Sequence, residues 1–239
     1  MGAQFSYDLV IPQENIPRAL RALAEHTAAG AEESTTVNLP RGQRITVPFE
    51  ADPDGDTVSL TDPPTRARFR VRPQIPIDEH IATALGLYTS HTVFTEIDGR
   101  CYRYRDDLTA PELDMMADLH DKEELRDHGI IVATGTTAVG LSLLVSTSAD
   151  LDPGYAELHF TTFSRSLHPI FCWSSTFRRF FAELAFEIGA VCAISGTDLD
   201  HTVTVHFLHG EAMPEVRVTR DTAWTLDTLT AAVGSRAPR

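Results

Sequence analysis

The chain has 239 residues, 42% hydrophobic and 23% charged, ordinary proportions for a globular protein that holds one large domain or two modest ones. Its 34 carboxylates against 20 basic residues give a net charge of −14, a field that repels phosphate backbones and disfavours general nucleic-acid or membrane-surface binding. Cys101, Cys172 and Cys192 show no C-x-x-C spacing and are odd in number, which speaks against a secreted disulfide scaffold or a structural zinc site.

The 20 basic residues are 19 arginines and one lysine, a bias that fits a high-GC bacterial genome. No apolar run approaches the roughly 18 residues of a membrane span. The N-terminus has no basic-then-apolar leader, so a cytoplasmic location is expected. Met1-Gly2-Ala3-Gln4-Phe5-Ser6 satisfies a loose myristoylation pattern, but the expectation is that it simply leads into the first strand.

In chain order, residues 5–11 read as a strand stopped by Pro12. Residues 16–27 read as a helix, with Asn15 as N-cap, Pro17 in the first turn, and Ile16, Leu20, Leu23 and Ala24 on one face. Strands at 35–39 and 44–49 follow, then the turn-rich segment 52–56. Asp52-Pro53-Asp54-Gly55-Asp56 begins like a calcium loop, but Thr57 and Pro63 stand where Gly and Glu are needed, so a connecting turn is expected. In Thr65-Arg66-Ala67-Arg68-Phe69-Arg70-Val71-Arg72 the arginines alternate with small or apolar residues. A strand there puts four guanidinium groups on one side.

Asp78 is placed to cap a short helix carrying Ile77, Ile81 and Leu85. Asp98-Gly99 between the runs 91–97 and 100–105 is a strong hairpin signal, which argues for antiparallel pairing. Residues 106–128 hold nine carboxylates and two cations and read as a weak helix or connector. Strands are expected at 130–134, 138–146, 155–162, 191–195, 201–209 and 215–218. Between them, Phe177, Phe180, Phe181, Leu184, Ala185 and Ile188 keep helical spacing over 176–188, with Gly189 placed to end the helix. A last helix is expected at 222–233, capped by Asp221.

The fold class implied is α+β: mainly antiparallel sheet, with three or four amphipathic helices packed on one face. The shared order of residues 5–39 and 155–195 leaves a split β–α–β duplication as an option. Residues 1–235 are read as a single domain, or as two lobes (1–105 and 129–235) joined by the acidic segment 106–128, with 236–239 a flexible tail.

Four places can carry chemistry. Arg66, Arg68, Arg70 and Arg72 form an anion-binding face or a solvated row paired with carboxylates, with Arg103 and Arg105 as a second basic row. Ser174, Ser175, Arg178 and Arg179 stand at the mouth of the phenylalanine-rich helix, where unpaired N–H groups attract an anion and lower the pKa of a thiol such as Cys172. Cys172-Trp173 resembles the nucleophile of papain-type thiol enzymes over those two residues alone; the preceding residues do not match. Alternation places Glu157 and His159 on one face of a strand and His206 on the polar face of another. The three are candidates for acid–base work or a metal, without any H-x-x-x-H spacing.

No Walker loop, dinucleotide fingerprint or G-x-S-x-G elbow is present, and no cofactor or metal is expected. The leading expectation is a non-enzymatic binding protein that neutralises a basic partner, as immunity proteins against nuclease toxins do; charge alone carries it. The alternatives are a cysteine-dependent enzyme using Cys172 with His159 or His206, and a small-anion sensor. Self-association stays open.

Overall fold

The structure, a computed structural model, describes residues 5–27, 34–52, 57–61, 65–78, 80–81, 94–97, 100–103, 131–133, 135–147, 154–162, 168–197, 202–219 and 226–234. The acidic segment 106–128, the turn at 53–56, Asp98-Gly99, Trp224 and the tail lie outside these residues. So do Arg105, His201 and Asp221. The protein is α+β with mostly antiparallel sheet. Among the described residues no helix is long and apolar enough to cross a membrane.

Sixteen strands are described: β1 (Phe5–Pro12), β2 (Thr35–Asn38), β3 (Arg44–Val47), β4 (Glu50–Asp52), β5 (Thr57–Ser59), β6 (Thr65–Val71), β7 (Gln74–Pro76), β8 (Phe94–Ile97), β9 (Arg100–Arg103), β10 (Ile131–Ala133), β11 (Thr136–Ala138), β12 (Leu141–Thr147), β13 (Tyr155–Thr162), β14 (Cys192–Thr197), β15 (Thr202–Leu208) and β16 (Glu211–Thr219). The helices are α1 (Ile16–His26), α2 (His168–Trp173), α3 (Ser175–Ile188) and α4 (Leu226–Gly234). Contacts divide the chain into two compact units. One is Met1–Gln74, Ala138–Arg165 and Arg179–Arg239; the other is Ile75–Thr137 and Ser166–Arg178.

The first unit is built on an eight-stranded sheet in the order β16-β15-β14-β1-β13-β12-β6-β4, with every neighbouring pair antiparallel. Because β13 and β14 both run against β1, which lies between them, β13–α3–β14 is a split β–α–β unit. The corresponding β2 instead pairs with β3 and β5 in a separate three-stranded sheet.

Alternation sorts the large sheet into two faces. In β1, Tyr7, Leu9 and Ile11 leave one face, and Leu158, Phe160, Leu143 and Phe69 continue it across the neighbouring strands. These are fully buried, and each large side chain so buried contributes about 1.5–3 kcal/mol. Phe181 of α3 stacks on Tyr7 at 4.3 Å between ring centroids and meets Phe160 edge-on at 4.9 Å. The opposite face is apolar only at one end. There Val10, Cys192, Ile194, Val203, Val205, Leu208 and Val218 enclose Leu229 and Val233 of α4. The described contacts thus put α3 and α4 on opposite faces, where the sequence suggested helices on one face.

Local chemistry explains several element ends. Gly189, at φ 67°, closes α3 in a Schellman arrangement: its N–H reaches Phe186 O at 3.2 Å, and Ala190 N–H reaches Ala185 O at 2.8 Å. Asn15 does not cap α1 with its side chain; it donates from Nδ2 to Ile188 O at 3.0 Å, so it closes α3 instead. His209 and Gly210, both at positive φ, make the two-residue turn between β15 and β16. That turn lets β16 begin at Glu211, earlier than the periodicity of 215–218 suggested.

In the second unit β8, β9 and β10 form an antiparallel sheet, with Ile97 opposite Arg100. Asp78 accepts a hydrogen bond from Ile81 N–H at 2.9 Å, the capping role its position implied. Phe171 and Phe177 pack ring to ring at 4.7 Å.

Candidate functional site

The polar half of the large sheet's second face is assembled from four strands. Arg66, Arg68 and Arg70 lie opposite Ser146, Leu144 and Ser142 of β12, which lie opposite Glu157, His159 and Thr161 of β13. His159 is opposite Asp8 of β1. One row across the sheet therefore reads Arg68, Leu144, His159, Asp8, and then Ile194 where the apolar, α4-covered end begins. Strand spacing sets the Arg68 and His159 backbones about 10 Å apart.

Arg66, Arg68 and Arg70 are exposed, while Ala67, Phe69 and Val71 between them are buried. Arg70 meets Glu50 of β4 at 3.4 Å; at this exposure such a pair contributes about 0–1 kcal/mol. Asp52 of β4 lies opposite Arg68 in the register, and its side chain is not described. The cationic row is held by β6 with its arginines exposed. Arg103 lies on β9 in the other unit, and its side chain is not described.

At the centre of the face, Asp8 is 2% exposed, a carboxylate buried in the strand Tyr7-Asp8-Leu9-Val10. Burying a charge is costly unless it is paired. Its Oδ1 lies 2.5 Å from His159 Nδ1, and its Oδ2 accepts from Ser6 Oγ at 3.3 Å. Glu157, two residues from His159 on the same face, completes a group whose ligand-capable atoms all lie within 4.8 Å of one another. Periodicity alone did not reveal Asp8. Its signal was a lone acid inside an apolar strand.

His206 does not join them. A bulge between Val205 and Phe207 breaks the alternation of β15, so Leu208 joins the α4 cluster and Phe207 does not. His206 stacks on Tyr7 at 5.1 Å and meets Ser195 Oγ at 2.7 Å from Nε2. Tyr7 and Ser195 are on the face opposite Asp8 and His159. The expected trio of Glu157, His159 and His206 is divided by the sheet.

The mouth of α3 is filled by the protein itself. Ser174 is its N-cap, accepting from Phe177 N–H at 3.1 Å. Asp78 Oδ2 accepts from Ser174 Oγ at 2.6 Å, Thr176 N–H at 3.2 Å and Thr176 Oγ1 at 3.1 Å. Burial pushes the Asp78 carboxyl up, but the bonds from Ser174, Ile81 and Thr176 together outweigh it and hold it below the usual carboxylate range. The anion that this helix mouth attracts is Asp78. Ser175 and Arg179 are exposed, and Arg178 donates to Cys172 O at 3.3 Å.

Cys172 sits near the end of α2 and not at the start of α3. A helix end presents carbonyls, which oppose a thiolate. Burial raises its pKa, and the Arg178 charge offsets this only in part. Cys192 is pushed up to about 12, by burial first and by the charge of Asp8 second. Cys172 belongs to one unit, and His159 and His206 to the other. No protein-family model, curated protein or solved structure matches the chain.

Proposed function

We propose that this is a non-enzymatic binding protein, and that the polar half of its large sheet takes a multiply anionic ligand bearing phosphate or carboxylate groups. The observation that carries the reading is the exposed row Arg66, Arg68 and Arg70, fixed at two-residue spacing on β6 and set against a solvent-reached histidine two strands away. Guanidinium forks pair bidentately with such anions, and a row held by a sheet needs little ordering on binding. Catalysis by Cys172 is the weaker reading, because burial raises rather than lowers its thiol.

The test is thermal unfolding across nucleotides, sugar phosphates and di- and tricarboxylates at low salt. A ligand present at 100 times its dissociation constant stabilises by about 2.7 kcal/mol. A melting temperature that stays flat across the panel contradicts the reading.

A second reading rests on the net charge of −14, which suits neutralisation of a basic protein partner. It requires salt-sensitive capture of one defined basic protein at low ionic strength. Recovery of no such partner at low or high salt removes it.

A further inference from the structure

We propose that Asp8, Glu157 and His159 form a binding site for a divalent first-row transition metal, such as Zn(II). The inference is independent of the arginine row and stands or falls separately from it.

The donor set is two carboxylates and one imidazole, which suits borderline divalent ions better than calcium, an ion that takes six or more oxygens. The three atoms already lie within 4.8 Å of one another. Metal–ligand distances of about 2.0–2.2 Å place two donors on one ion about 3–3.5 Å apart. The Asp8–His159 contact of 2.5 Å therefore opens by about 1 Å or less, and the wider separations, up to 4.8 Å, close by about 1–2 Å, movements that side-chain rotation supplies.

Position supports the chemistry. Asp8 and His159 are directly opposed on β1 and β13, two central strands, and Glu157 follows His159 by two residues on the same face. Their backbones are fixed by ladders on both sides. Ser6 Oγ, two residues back on β1, donates to Asp8 Oδ2 at 3.3 Å and helps orient the carboxylate. The His159 side chain is 36% exposed and Asp8 3%, so an ion enters from solvent and meets a buried negative charge. With neutral imidazole the three ligands carry −2, which a divalent ion neutralises.

The test uses the full chain, stripped with a chelator, exchanged into chelator-free buffer and titrated calorimetrically with Zn(II). The expected result is one saturable site. Affinity is expected to fall at least tenfold in His159→Ala and in Glu157→Gln. Since His159→Ala leaves Asp8 buried without its partner, Glu157→Gln is the variant that keeps the fold, checked by circular dichroism and urea unfolding. With ten histidines in the chain, adventitious zinc is the alternative outcome. Absence of a saturable site, or a site whose affinity changes less than twofold in folded Glu157→Gln, overturns the proposal.

Discussion

Asp78 and Ser174, 96 residues apart in sequence, are joined by a 2.6 Å hydrogen bond from the serine hydroxyl to the carboxylate. The same carboxylate accepts from Ile81 N–H and Thr176 N–H, so one side chain closes the starts of two helical segments. Asp78→Ala is expected to destabilise the protein by about 1–3 kcal/mol in urea unfolding at neutral pH, since it removes a cap and leaves buried donors unsatisfied.

The pH dependence follows from the lowered carboxyl of Asp78. A depressed folded value means that the stabilisation is fully present above the unfolded value, about 3.9, and is lost as pH falls through the folded one. Urea midpoints of the wild type and Asp78→Ala are therefore expected to differ most above about pH 5 and to draw together as pH falls below about 4. A gap that widens on acidification contradicts the assignment.

Gly189→Ala is expected to destabilise by about 1–2 kcal/mol, because φ 67° is a left-handed conformation that a Cβ resists. The added carbon also meets Asn15 Nδ2 at 3.0 Å, disturbing the bond that closes α3. Urea unfolding that shows no loss argues against the Schellman ending.

Phe181→Ala removes the ring that contacts both Tyr7 and Phe160, and is expected to cost about 3–5 kcal/mol. The same substitution at Phe186, which is exposed, is expected to change stability by no more than about 0.5 kcal/mol. Comparable losses at the two sites are incompatible with this burial.

Thiol labelling distinguishes binding from cysteine catalysis. Cys192, buried and pushed up to about 12, is expected to react with iodoacetamide only after unfolding. Cys172 is expected to react more slowly than free cysteine at neutral pH. Peptide mapping that finds Cys172 alkylated faster than free cysteine supports the enzyme reading instead.

Much of the local structure was legible because it is written in short-range patterns. Alternation along Thr65–Val71 gave the face of each arginine, helical spacing gave α3, and Gly189 marked its end. The candidate site was legible only in part. Glu157 and His159 share a strand, so their common face follows from their spacing. Asp8 reaches them only through the pairing of β1 with β13, a contact between residues 151 positions apart that no local pattern encodes. His206 keeps the face of Thr204 that alternation gave it, but the pairing of β15 through β14 to β1 puts that face with Tyr7, opposite His159. The α3 mouth attracts an anion as its sequence implies, but the partner comes from Asp78, far back along the chain.

Anion binding by the β6 arginines is tested most directly by melting temperatures with sodium tripolyphosphate at low salt, compared between the wild type and the double substitution Arg66→Ala, Arg68→Ala. Both side chains are exposed, so the variant is expected to fold with unchanged stability to within about 0.5 kcal/mol. The wild type is expected to gain stability with tripolyphosphate and the variant to lose most of that gain. Equal shifts in the two proteins, or none in either, would contradict a binding role for this face.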